Sequence, residues 1–502
     1  MPLDSTPLFE KSPNGTPGTY RCYINGKWRA SSNGATFAVT NPATGEVIAH
    51  VPKMTREDAA EAVEAAYQSR RRIRDIPAIE RVEILDRARV LLEESRQLFV
   101  ETIVAESGKP VSVAEGEVKA TIERLRLTLE EVRSMRGDYI PGDWVKDTSG
   151  KFAIVRREPR GVVAAICPFN YPLFISSAKV IPALVSGNTV IAKPSSETPL
   201  SLLLFARLLE QAGIPPGTLN VVTGSGREVG DVIVESPLVD MITFTGSTSV
   251  GEQVVLKAGM KKLHLELGGK GAALVLDDAN LELAAKEVAK GGLRFAGQRC
   301  DAIDRILVHE SVAEEFIEKL VKEVQANYKT GDPRDRKTAV GPLITPKAAK
   351  FVMELIEDAR QKGAKVLTGG TSHDQFVEPT VLDNITPDMR VAWEESFGPV
   401  LPIIRVRSVE EMLEIANKSE YALDSAVFTA DINKAFGIAR RLADGEVTIN
   451  GHPAHGVGHF PFGGNKKSGM GREGIGASIE EMTRVQTIVF NLPPKETPFA
   501  WA

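Results

Sequence analysis

Gly161-Val-Val-Ala-Ala-Ile-Cys-Pro-Phe-Asn-Tyr-Pro172 opens a stretch in which short apolar runs alternate with helix-like segments. The runs are Val162–Ile166, Asn188–Ala192, Leu219–Val222, Met241–Phe244 and Leu263–Leu267. Short, near-continuous apolar runs predict strands buried on both faces, and the segments between them predict helical crossovers. The expected product is an α/β fold built on a parallel sheet. A second alternating stretch, from Ala272 to about Ile449, predicts a second α/β domain.

Outside these stretches the pattern changes. From Thr55 to Arg136 the text is helical, opening on a capping box between Thr55 and Asp58. Val118, Ile122, Leu125, Leu129 and Val132 recur at helical spacing as one apolar stripe, and Lys119, Glu123, Arg126, Glu130 and Arg133 alternate in sign on another face. After a turn at Gly137–Gly142, Phe152, Ile154 and Arg156 alternate as a strand, and Val485–Phe490 is a second β-branched run. Paired, the two would make a two-stranded arm between subunits or an ordinary edge ribbon. Met1–Tyr20, rich in Pro, Gly, Ser and Thr, reads as a frayed lead-in.

The 502 residues suggest two to four domains at about 150 residues each. With 42 % hydrophobic and 25 % charged residues, the chain is neither disordered nor a disulfide scaffold. A net charge of −5 argues against a polyanion-binding surface, so no nucleic-acid partner is expected. No apolar run spans a bilayer, and three cysteines without a Cys-x-x-Cys pair fit a reducing, cytoplasmic setting. No metal is expected: His452, His455 and His459 come closest to ligand spacing, but glycines and a proline between them read as a loop.

The chemistry-bearing residues gather at predicted strand ends, where open parallel sheets bind ligands. The first strand leads to Asn170. The second ends in Lys193-Pro-Ser195-Ser196-Glu197, a cation and hydroxyls beside a helix start. Val222-Thr-Gly-Ser-Gly226-Arg-Glu-Val-Gly230 is glycine-rich without the dinucleotide fingerprint spacing, and Thr245-Gly246-Ser247 lets an anion approach a helix start. Together they point to a nucleotide site; glycine-rich turns are the alternative. Glu266, ending an apolar strand, would have its pKa raised by desolvation and suit a general base, or be tied up by Lys270. Cys300, beside the cation Arg299, could ionise and attack an electrophilic carbon, or be buried filler.

Pro-Phe-Asn170, Lys193-Pro-Ser, Phe-Thr-Gly-Ser247-Thr, Glu266-Leu-Gly-Gly-Lys, Gly-Gln-Arg-Cys300, Glu395-Ser-Phe-Gly-Pro and Phe462-Gly-Gly-Asn-Lys-Lys-Ser-Gly stand in the order found in the aldehyde dehydrogenase superfamily, which the chain resembles over nearly its whole length. The resemblance implies two Rossmann-type α/β domains plus a small β oligomerisation arm. Its boundaries would be 1–136 and 159–266 for a discontinuous cofactor-binding domain, 267–478 for a catalytic domain, and 137–158 with 479–502 for the arm. It implies Cys300 as nucleophile, Asn170 and the Cys300 backbone N–H as oxyanion donors, and Glu266 as the base that releases a carboxylic acid from a thioester. Phe169, Lys193, Ser195, Ser196, Gly226, Gly246, Ser247, Leu267, Glu395 and Phe397 would contact the cofactor. Members that pass the acyl group to coenzyme A lack a glutamate at the Glu266 position, so hydrolysis is expected.

Where NAD-preferring members carry glutamate three residues after the strand-end lysine, this chain has Ser196. Loss of that carboxylate favours NADP, with NAD also usable. Asp138-Tyr-Ile-Pro-Gly-Asp-Trp144 and Gly-Gln-Arg-Cys300-Asp-Ala-Ile look like the archaeal non-phosphorylating glyceraldehyde-3-phosphate dehydrogenases. Arg299, Arg124 (or Arg126), Tyr171 and Phe462 would then meet the aldehyde. Lactaldehyde, glyceraldehyde or succinate semialdehyde are the rival substrates, and a silent binding protein on this fold is the rival from another class. The resemblance implies a homo-oligomer, dimer or tetramer.

Overall fold

The computed structural model describes residues 3–10 and 18–491. Its first large sheet has the five expected parallel strands at its centre: Val162–Ile166, Thr189–Lys193, Leu219–Val221, Met241–Thr245 and Lys262–Glu266. In space the order runs Leu219, Thr189, Val162, Met241, Lys262. The first strand therefore has the second on one side and the fourth on the other. Strand order reverses at that point, and the crevice beyond the carboxyl ends there is where such sheets take a ligand. Three short antiparallel strands that lack a readable period extend the sheet: Cys22–Ile24 and Lys27–Arg29 at one edge, Gly469–Met470 at the other.

The second large sheet holds six parallel strands, in the spatial order Thr380–Asp383, Val400–Val406, Ile303–His309, Gly271–Val275, Asp424–Phe428 and Glu446–Ile449. Lys365–Thr368 runs antiparallel at the rim. Helices cover both sheets, and three buried apolar clusters fill the space between the layers. None of the described helices is long and apolar enough to cross a membrane.

The helical N-terminal portion resolves into Arg56–Arg74, Ala78–Glu94, Arg96–Ser107 and Val111–Glu131. Thr55 and Asp58 form the capping box. The apolar stripe of the last helix is buried, whereas Arg126 stands in solvent bound to Glu123 and Glu130, on the charged stripe.

Two expectations need correction. The arm has three strands: Asp138–Pro141, which looked like part of a turn, pairs with Lys151–Pro159, and that strand pairs along its length with Thr483–Asn491. Phe152 stacks on Phe490 at 4.7 Å, and Tyr139 joins them at 5.6 Å, which is the packing that draws the third strand in. The lead-in is anchored rather than frayed: Leu8 is fully buried, and Phe9–Glu10 pair with Thr19–Tyr20. The rest of that lead-in, residues 1–2 and 11–17, and the end of the predicted arm, 492–502, lie outside the described residues.

Candidate active site

Cys300 follows a strained turn. Helix Leu281–Leu293 stops, and Phe295, Ala296 and Gly297 come next with φ of 52°, 53° and 70°. Left-handed backbone costs an L-residue roughly 1–2 kcal/mol, so tertiary packing has to impose it. Phe295 and Ala296 are buried; the Tyr171 ring meets Phe295 edge-on at 6.2 Å, and Lys109 Nζ lies 4.5 Å from its centroid. At Gly297 a Cβ would collide with the Gly398 carbonyl. The turn delivers Cys300 to the mouth of strand Ile303–His309.

Two cavities share Cys300 in their walls. The larger, about 890 Å³, lies in the crevice at the strand reversal. Phe169, Lys193, Ser195, Ser196, Gly226, Gly246, Ser247, Leu267, Glu395 and Phe397 all line it, together with Asn170. Helix Thr248–Ala258 starts on this wall with no side-chain cap on its free amides, a setting that favours an anion. Lys193 is buried, its Nζ reaches the carbonyl of Pro194 at 3.2 Å, and burial pulls its pKa down to about 8. A phosphate-bearing, hydroxyl-rich cofactor fits these donors. Ser196 Oγ lies 3.5 Å from the Gly224 carbonyl oxygen, which brings the Gly224–Gly226 loop against the same wall.

The smaller cavity, about 290 Å³, opens on the other side of Cys300. Tyr171, Arg299 and Phe462 line it, with Phe174, Arg294, His455, Glu266 and Glu473. Arg124 packs behind that wall, buried, with its guanidinium carbon 5.3 Å from the Phe174 ring and Nη2 3.5 Å from Glu473. Neither Nη of Arg124, nor Nη1 of Arg299, nor either ring nitrogen of His455 makes a hydrogen bond. Arg124 Nη2 and His455 Nε2 nevertheless face Glu473, at 3.5 and 3.2 Å, so the donor left over on the cavity wall is Arg299 Nη1, and unsatisfied buried donors are rare in folded proteins.

The charge placement corrects one expectation. Arg299 was to lower the Cys300 thiol, but its Nε and Nη2 hold Asp301 at 2.9–3.0 Å, and Nη2 also donates to the Pro453 carbonyl. Burial pushes the Cys300 thiol well above its ordinary value, and Asp301, Asp424, Glu266 and Glu395 push the same way. The cysteine is therefore no pre-formed thiolate and needs a proton acceptor. Glu266 is the neighbouring candidate. Lys270 does not tie it up, because Lys270 pairs with Asp304 at 2.9 Å. Burial and the nearby Glu473 raise the Glu266 pKa well above the carboxylate range, Oε2 has no partner, and Oε1 meets His264 Nε2 at 3.0 Å. Gly463, with φ of 150°, makes room: a Cβ there would sit 2.9 Å from Oε1. Asn170 Nδ2 donates to the Gln298 carbonyl at 3.0 Å, which fixes the amide and leaves its second N–H for an oxyanion.

Several residues of this site carry no role in the sequence reading. His455 lay in a loop read only for metals, and Glu473 sat unremarked beside Arg472. Burial works against the charge of Glu473, but Lys179 at 3.6 Å, His455 and Arg124 outweigh it and hold its carboxyl well below the usual range. His264 was detectable: two residues before Glu266 on one strand, it must share that residue's face. The histidines diverge as a loop would place them, with His452 on Glu287 and His455 beside Glu473.

This fold, with a cysteine between a nucleotide-sized crevice and a small cavity of mixed apolar and charged lining, has a known counterpart. The profile of the aldehyde dehydrogenase family matches residues 28–488, and the chain belongs to that family. An NADP-dependent glyceraldehyde-3-phosphate dehydrogenase from Streptococcus equinus is 43 % identical over 474 residues, covering 94 % of this chain and 99 % of the relative. A lactaldehyde dehydrogenase from Methanocaldococcus jannaschii is 40 % identical over 93 % of this chain and 100 % of the relative. Among solved structures, the NADP-dependent glyceraldehyde-3-phosphate dehydrogenase of Bacillus halodurans C-125, complexed with NADP, superposes with a TM-score of 0.93 at 42 % identity, over 94 % of this chain and 99 % of that one.

Proposed function

We propose that this chain oxidises glyceraldehyde 3-phosphate to 3-phosphoglycerate with NADP as acceptor and releases the acid by hydrolysis. The observation that carries the substrate is Arg299 Nη1, a buried donor without a partner on the wall of the smaller cavity beside the nucleophile, with Arg294 and His455 on the same wall. They suit a phosphate at one end of a short aldehyde. The relatives that bear this activity support the same reading.

In this mechanism Glu266 Oε2 takes the thiol proton and Cys300 Sγ adds to the aldehyde carbon. The oxyanion is met by the free N–H of Asn170 and the backbone N–H of Cys300, where fixed donors stabilise charge most. NADP, when bound, supplies the two-electron acceptor that takes the adduct to a thioester. Lys193, Ser195 and Ser196 would hold it at one end of the crevice, Ser247 and the adjoining helix start in the middle, and Glu395 and Phe397 near the sulfur. After the thiol proton has passed from Glu266 to solvent, Glu266 draws a proton from water, the water oxygen bonds to the thioester carbon, and the C–S bond breaks to free the acid, the sulfur recovering its proton from Glu266.

Residues 1–136 with 159–266 would form the cofactor-binding part, 267–478 the catalytic part, and 137–158 with 479–502 the arm joining a homo-oligomer. Exposed Ile154, Val485 and Val489 on that arm suit a partner's strand.

The substrate is tested by NADPH formation without phosphate or coenzyme A. The phosphorylated triose is expected to beat glyceraldehyde, lactaldehyde and succinate semialdehyde by at least about tenfold in kcat/KM, ~1.4 kcal/mol. The apolar wall of Phe174, Ile175 and Val457 favours a second reading, a small unphosphorylated hydroxyaldehyde such as lactaldehyde. Equal or better rates with that compound would establish it instead.

For the cofactor, Ser196→Glu is expected to weaken NADP binding at least about tenfold while leaving NAD nearly unchanged, because a carboxylate facing a 2′-phosphate is a like-charge contact costing kcal/mol. Calorimetric titration of both cofactors measures it, and equal effects would remove Ser196 from cofactor choice.

A further inference from the structure

His264 and Glu266 project from one face of strand Lys262–Glu266, and the contacts beneath them form a single chain of hydrogen bonds. Lys179 Nζ donates to Thr243 Oγ1 at 3.1 Å, Thr243 Oγ1 meets His264 Nδ1 at 3.0 Å, and His264 Nε2 meets Glu266 Oε1 at 3.0 Å. All four residues are buried.

Donor counting orders the chain. The ammonium of Lys179 can only donate, so the Thr243 oxygen accepts from it and keeps its own proton to give. That proton goes to Nδ1, which places the ring proton on Nε2, directed at Glu266 Oε1. With Glu266 ionised, the state in which it acts as base, the opposite tautomer would set a nitrogen lone pair against a carboxylate oxygen.

We propose that His264 is a positioning residue for the base: its Nε2–H holds Oε1 of Glu266, so that Oε2, the oxygen without a partner, is the one presented to the smaller cavity and the reacting carbon. The inference rests on the reading of Glu266 as the base. His264 itself stays neutral, since burial and Lys179 bring its pKa down to about 3. The charged groups around the pair are Lys179, Glu473, Arg124, Arg472 and Lys262. None of them makes a hydrogen bond to Glu266 Oε2. A donor to the carboxylate favours its charged form. Removing that donor should therefore raise the pH at which Glu266 becomes a base as well as loosen its aim.

The test uses His264→Leu, His264→Gln and His264→Asn in the full-length protein, followed by rapid-mixing kinetics and the pH profile of kcat. Leucine keeps the bulk and removes the donor. Glutamine carries an amide N–H out to the Nε2 position, whereas asparagine is too short to reach Glu266. His264→Leu and His264→Asn are expected to keep the first-turnover burst of NADPH, lose about tenfold in kcat, and shift the acid limb upward by about one pH unit. His264→Gln is expected to recover most of kcat and the original midpoint. Unfolding temperature and NADP binding, followed by fluorescence, verify the fold of each variant; if leucine disrupts it, the glutamine–asparagine pair decides alone. Wild-type kcat and midpoint in the asparagine variant, or equal losses in the glutamine and asparagine variants, would overturn the proposal. Glu266→Ala run alongside separates the failures: normal turnover there removes the base itself, while a stall there beside an unaffected His264→Asn removes only the positioning role.

Discussion

Glu266→Ala is expected to release about one NADPH per active site and then all but stop, with steady-state turnover lower by some 10²–10⁴-fold. Thioester formation and hydrolysis make separate demands. The sulfur can lose its proton to solvent, slowly, and still attack. A water molecule in a desolvated site is a much poorer nucleophile without a base beside it. The wild-type rate should also climb with pH across a range above that of an ordinary carboxylate, because burial and Glu473 favour protonated Glu266, the form that cannot act as base. The variant should lose that limb. Stopped-flow absorbance over a pH series reads burst and limb together, and normal steady turnover would show that another group handles the water.

Cys300→Ser is expected to cost on the order of 10⁴-fold or more in kcat, with no burst, while cofactor binding persists. A hydroxyl is far harder to ionise than a thiol, and at this position even the thiol is disfavoured as an anion by burial and four carboxylates. The same setting predicts slow alkylation of the free protein at neutral pH and faster alkylation as pH rises. Mass spectrometry of iodoacetamide-treated protein locates the label. Cys22 and Cys167 are buried with thiols pushed upward, that of Cys22 to about 11, so neither should compete. Retained turnover in Cys300→Ser would end the covalent mechanism.

Much of this site is legible in the amino-acid sequence, for a topological reason. Asn170, Lys193 and Ser247 each close a parallel strand, and strands of one sheet end on one side, so residues 77 apart in sequence come to line one crevice. Glu266 follows the same rule. What the reading lacked depends on loops that fold back over the sheets. Arg299 was taken for a free cation because nothing in the order of residues shows Asp301 turning to grip it. Arg124 was placed near the substrate by its helix, yet it stands behind Phe174, and its partner Glu473 arrives from almost 350 positions further along the chain. The left-handed path of Phe295 and Ala296 has no sequence signature, since neither residue favours it and only the packing of Lys109, Tyr171 and Gly398 enforces it.

The segment Asn465–Met470 has a mechanical meaning. Asn465 and Lys466 pair with Tyr421 and Ala422 beside the second sheet, while four residues on Gly469 and Met470 pair with Leu265 and Glu266 as the edge of the first. Ser468 between them ties both, accepting the N–H of Leu267 at its carbonyl and the N–H of Ala422 at its hydroxyl. Six residues thus act as a rivet driven through both halves of the molecule, directly under the base. A clam-like opening of one half from the other would tear backbone bonds at Glu266 itself. Cofactor exchange by side-chain and loop movement at the rim of the crevice would leave these bonds intact.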